Sequence, residues 1–205
     1  MLRPPFLSAP TVNWPVRFDS MSTNLMTKET PNAVALVPDR SCGDCSLCCK
    51  LTRIKAFDKP PGLWCAHCAP GRGGCTIYDT RPPECRDFYC DWRITPALGE
   101  EWRPNKCKMF LCREGNVQTI HVDPSDPGAW RREPFFRQIK ALAARAVGTQ
   151  QQVAVRIKDR VIVVFPHKEV DVGPMNPGDQ LVVREMVSTA GRRDWVAFIE
   201  RAPGG

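Results

Sequence analysis

Cys42-Gly43-Asp44-Cys45-Ser46-Leu47-Cys48-Cys49 sets three thiols at intervals of three residues and a fourth beside the last. Cysteines at that interval, with a small residue such as Gly43 between two of them, let a tight turn aim both sulfurs at one point while backbone N–H groups bend toward them. Zinc takes about four soft ligands in a tetrahedron at roughly 2.3 Å, and an iron–sulfur cluster also takes four thiolates, so the spacing does not choose between the two chemistries. Neighbouring side chains usually diverge, so Cys48 and Cys49 are expected to serve different sites, or one of them to be free.

Further along come Trp64-Cys65-Ala66-His67-Cys68 and the stretch from Gly74 to Cys90, which carries Cys75, Cys85 and Cys90. Nine thiols fall within forty-nine residues. A tetrahedral ion uses four, so two sites or one polynuclear centre follow if most of them ligate. The expected metal ligands are Cys42, Cys45, Cys48, Cys49, Cys65, Cys68, Cys75, Cys85 and Cys90. The competing readings are buried thiols acting as small apolar residues, and disulfides. The total of eleven cysteines is odd, which fits poorly with complete pairing. Cys107 and Cys112 stand outside this run and read as two buried thiols or as a pair closing the module, ahead of metal ligation.

The Cys-x-x-Cys-x-x-Cys-Cys opening, followed by Gly-Cys-x-Ile-Tyr-x-x-Arg-Pro-x-x-Cys-Arg-x-Phe from Gly74 to Phe88, resembles the bacterial CxxCxxCC cysteine-cluster family of zinc- or iron-chelating domains. The likeness spans about Cys42 to Cys90, extends in one branch of that family through Trp92 and Arg103-Pro104, and does not cover the tail after Pro124. It implies metal chelation by the matching cysteines and implies no reaction.

Four thiolates around zinc or a cubane carry net negative charge, so nearby cations and N–H donors to sulfur lower its cost. Arg81 and Arg86 are the candidates for that cofactor-binding role, against the plainer reading of surface arginines paired with Asp79 or Asp87. Tyr78 and Phe88 are expected to pack over the centre, and His67 to lie outside the ligand set; His121 and His167 have no partner spacing.

The chain is 42% hydrophobic and 25% charged, ordinary for a soluble globular protein. Its net charge of +7 is spread as +1, +3 and +3 over residues 1–41, 42–112 and 113–205, so no segment is a basic tail and nucleic acid is not the expected partner. A protein partner stays open. No apolar run suits a signal peptide or a membrane span, and the cytoplasm is the expected compartment.

Residues 1–40 read as a disordered or loosely attached segment in which Met21 is an alternative start. Residues 41–123 read as the cysteine-cluster module, and 124–205 as a helix plus antiparallel strands. The helix is expected over 134–147, from apolar residues at three- and four-residue spacing ahead of Gly148. A hairpin is expected over 153–165, and strands at 181–187 and 195–199. The fold class is therefore α+β, a small loop-rich cysteine module followed by one helix and a small antiparallel sheet.

Two functions compete on these residues. In the first, zinc or an iron–sulfur cluster stands in for a core, since a seventy-residue unit buries only about 60% of its unfolded surface. The second is an iron–sulfur redox protein or a metal-dependent enzyme. Ligands that are nearly all sulfur favour a closed or electron-carrying site, and no phosphate loop, His-Glu-x-x-His or nucleophile elbow appears.

Overall fold

The computed structural model describes residues 16–17, 34–68, 74–187, 189, 191 and 193–202. Met21 and most of the segment expected to be loosely attached lie outside them. The described end of that segment is tied down: Val37 N–H donates to Arg93 O at 2.9 Å, and the Arg40 guanidinium donates to the carbonyls of Trp92, Thr95 and Leu98 at 2.5, 3.1 and 2.6 Å.

The fold is α+β. Strand β1 is Val16–Arg17, and the cysteine-bearing stretch follows with four short helices: α1 Leu47–Leu51, α2 Pro83–Arg86, α3 Asp91–Ile94 and α4 Pro104–Cys107. Then come β2 Met109–Glu114, β3 Val117–Val122, α5 Phe135–Ala146, β4 Gln152–Ile157, β5 Arg160–Val164, β6 Glu169–Pro174, β7 Gln180–Val187 and β8 Arg193–Glu200. Strands β2 to β6 form one sheet in sequence order, and β7 and β8 form a long ribbon with β1 at its edge.

The larger sheet corrects the expectation of a purely antiparallel one, because β3 and β4 pair in parallel. Helix α5 lies between them in sequence and supplies the crossover that a parallel pair requires. Strands β2, β3 and β6 were not anticipated. The boundary expected at 123–124 falls between β3 and α5, inside the unit that builds this sheet.

Alternation along the strands divides the sheet into two faces. On one, Met109, Leu111, Ile120, Val122, Val153 and Val155 meet Ile139 and Ala143 of α5 together with Trp92, Trp102 and Trp130. Trp92 and Trp102 come from the cysteine-bearing stretch, so its second half is packed into the main core. On the other face, Phe110 and Cys112 meet Leu47 and Leu51 of α1, while Val117, Ala154, Val161 and Val163 meet Leu181 and the ribbon's Trp195 and Ile199. The ion pair Lys50 Nζ–Asp123 Oδ1 at 2.6 Å, nearly buried, joins α1 to the end of β3. No described helix is long and apolar enough to cross a membrane.

Candidate metal centre

Proline and glycine keep the stretch 42–90 from forming long elements, and what converges inside it is sulfur. Cys65 and Cys68 are buried with Ile54, and Cys49 and Cys85 pack against them. One long-range backbone bond and one turn aim this group. Cys65 N–H donates to Cys49 O at 3.1 Å and Cys68 N–H to Cys65 O at 3.0 Å. Cys75 comes to its margin through a backbone bridge with Cys68.

A second group lies on the other side of α1. Cys45, Cys48 and Cys90 pack with Phe88 against Leu47, Leu51, Phe110 and Cys112. Gly43, at φ +45°, makes the turn in which Cys45 N–H reaches Cys42 O at 2.5 Å, and the Cys42 thiol is close enough to act on Cys45, Cys48 and Cys90. Residues one apart on a helix point about 100° away from each other, which sends Cys48 to one group and Cys49 to the other. They do not diverge completely, because their thiols hydrogen-bond to each other where the groups meet.

The electrostatics differ between the groups. Cys49 is held low, to about 7, mainly by the hydrogen bond from Cys48; burial opposes this, and Cys68, Lys59 and Arg81 add to it. Burial and the Glu84 carboxylate push Cys85 up to about 11. In the second group, burial pushes Cys90 up to about 12 against N–H groups donated by Arg93 and Trp92. Burial likewise raises Cys45, although the backbone of Leu47 and Asn105 donates to its sulfur. Donors to sulfur of this kind stabilise a thiolate once a cation has replaced the proton.

Each group also faces a cation. Lys59 is buried beside the first, its ammonium donating to the carbonyls of Lys50, Pro60 and Leu63 at 3.1, 2.9 and 2.8 Å. Burial lowers its pKa, while Cys65, Cys49, Cys48 and Cys85 raise it. Arg81, one of the two arginines singled out in the sequence, acts on Cys49 and Cys85 from above the Tyr78 ring, 3.6 Å from its centroid. Arg86 is exposed on the last turn of α2. At the second group Arg103 acts on Cys45 and keeps a buried Nε without a hydrogen-bond partner among the described residues; Arg93 likewise leaves Nε and Nη1. Eight thiols with cations and spare N–H donors beside them have the ligand chemistry of a soft-metal centre.

Phe88 packs at the second group, edge-on to Phe110 at 5.6 Å. Tyr78, expected over the centre, is instead 50% exposed. His67 rests on Phe57 at 4.8 Å. Cys107 is buried with its sulfur 3.0 Å from Met109 O, and burial pushes it up to about 11, so it is a protonated thiol donating to a carbonyl.

Among the described residues, the one set of three Cys, His, Asp or Glu side chains whose ligand atoms all lie within 4.8 Å of one another is Cys112, Glu114 and His121. No three thiols of the two larger groups therefore lie within 4.8 Å of one another, whereas the sulfurs of a four-thiolate zinc are all roughly 3.8 Å apart. Spacing alone hid the smaller set, because Glu114 and His121 meet only once β2 and β3 pair.

No protein-family model matches the chain, and no curated protein or solved structure matches it.

Proposed function

We propose that this is a metal-chelating cysteine-cluster protein in which Cys49, Cys65, Cys68 and Cys85 hold one centre and Cys42, Cys45, Cys48 and Cys90 a second, with the metal chiefly stabilising the fold. The observation that carries the reading is the gathering of eight cysteines into two groups of four, with Cys48 in one and Cys49 in the other, each beside cationic side chains. Bound zinc or iron would supply cohesion that prolines and short helices do not, on the order of 10–16 kcal/mol for a structural zinc. Lys59, Arg81 and Arg103 would offset the thiolate charge. The likeness of residues 42–90 to the CxxCxxCC family supports the same reading, and free thiols in such number suit a reducing compartment such as the cytoplasm.

A polynuclear cluster occupies the space among its thiolates and an ion does not, so a cluster accepts a wider sulfur spacing than zinc does. Such a centre would carry electrons. Isolation without oxygen decides the question: brown protein with acid-labile sulfide is expected for clusters, and colourless protein with about two zinc ions per chain for structural sites. Folded protein with neither metal would refute both.

A further inference from the structure

The geometry points to a third, mixed-ligand site for a borderline divalent cation such as zinc, held by Cys112, Glu114 and His121 on the face of the sheet next to α1. Cys112 and Glu114 are two apart on β2 and share a face; β3 runs antiparallel beside it and brings in His121 opposite Phe110. Glu114 Oε1 lies 3.2 Å from His121 Nε2 and 4.0 Å from Cys112 Sγ. A tetrahedral ion with metal–nitrogen and metal–oxygen bonds near 2.1 Å and a metal–sulfur bond near 2.3 Å requires separations of about 3.4 and 3.6 Å. These two separations thus stand a few tenths of an ångström from what ligation demands, and the third, between Cys112 and His121, is within 4.8 Å.

The surroundings fix the ligands. Thr119 Oγ1 donates to the other carboxylate oxygen of Glu114 at 3.1 Å, leaving Oε1 for a cation. The His121 ring is stacked on Phe110 at 4.8 Å and 15°, which sets its plane. Cys112 and His121 are buried and Glu114 is half-buried, so the site is shielded on one side and reachable on the other. Such second contacts are what orient metal ligands.

Binding replaces the Cys112 thiol proton, which leaves to solvent, with a metal–sulfur bond. Glu114 enters as carboxylate, and His121 as the neutral ring with its proton on Nδ1. Thiolate, carboxylate and a divalent cation sum to zero. Arg156, close enough to act on both Glu114 and Cys112, remains as a neighbouring positive charge. Three protein ligands leave a tetrahedral ion one position for water or another ligand. Arg156 also lines a cleft of about 480 Å³ with Arg53, Lys55 and Lys158, so the cation would sit beside a basic wall.

The test uses the full chain with its native metal in place, titrated with zinc alone. One additional ion per chain is expected, with Glu114→Gln and His121→Asn each weakening it by roughly tenfold or more and Thr119→Val by less. The metal already bound to the isolated protein stays constant in all three, which separates failure here from failure of the eight-cysteine reading. In unsubstituted protein, the ring resonances of His121 should shift on zinc addition while those of His67 and His167 stay fixed, a readout that does not depend on the variants folding. No further ion, or an ion bound equally well by the variants with His121 unmoved, overturns the site.

Discussion

Lys59→Met separates charge from packing at the first cysteine group. The ammonium is buried and donates to three carbonyls; that of Lys50 keeps a second donor, Gly62 N–H at 2.9 Å, so the substitution orphans chiefly Pro60 O and Leu63 O. An unsatisfied buried acceptor costs about 1–3 kcal/mol, but Pro60 and Leu63 are exposed and water can take the place of the ammonium, so the structural loss should be about 1 kcal/mol or less. A second loss applies only with metal present. Removing a cation beside four thiolates should weaken metal binding by about 10–100-fold. Urea unfolding of metal-loaded and metal-stripped protein, with competition against a chromophoric chelator, reads both. The loaded form should lose more stability than the stripped form, and the difference should equal the affinity change. Equal losses in the two forms with unchanged affinity would show that Lys59 only satisfies carbonyls, and would refute the charge argument.

Asp123 shows a pH dependence of defined sign. Burial alone would raise its carboxyl, but Lys50 and the Ser125 N–H outweigh it and hold the pKa below the usual aspartate value. Its stabilising contribution is therefore complete above the unfolded value near 4 and fades as the pH falls through the lower folded value, so Asp123→Asn should flatten acid unfolding in that range. At neutral pH the same substitution leaves Lys50 nearly buried and unpaired and should cost about 3 kcal/mol in urea titration. Ile139→Ala, at a fully buried position between α5 and the sheet, should destabilise by about 2–5 kcal/mol while leaving metal content unchanged. Gly43→Ala forces a side chain onto φ +45° and should cost about 1 kcal/mol, read as a lower chelator concentration for metal release.

The helix α5 was legible from apolar residues at three and four in 135–146 against a solvated side; the β4–β5 hairpin, buried on both faces, was legible from Val153, Val155 and Ile157 at two-residue spacing and the β-branched run 161–164. Strands β2 and β3 were not, and the reason is physical. β3 is buried at every position, covered by the α5 core on one face and by the cysteine-bearing stretch on the other, so the polar residues Gln118, Thr119 and His121 lie inside and the usual alternation disappears. Its two-residue turn, Gly115-Asn116, with Gly115 at φ +61°, was the available signal. Had β3 been read, a helix between it and β4 would have suggested the parallel pair. At the site, helical geometry at Cys48 and Cys49 made a division into two groups foreseeable. The membership of the groups was not, since Cys90 and Cys85 are only five residues apart and are sent to opposite sides by α2 and the turn after it. The role of Lys59 was hidden too, because a lysine in sequence reads as surface, and only its three carbonyl partners show it to be inside.

The division of the cysteines is tested most directly by metal stoichiometry of anaerobically isolated Cys65→Ser/Cys68→Ser protein beside the unsubstituted chain. Two separate centres predict loss of half the zinc or iron, with the share held by Cys42, Cys45, Cys48 and Cys90 retained. Complete loss in soluble, folded protein, or no loss at all, contradicts them.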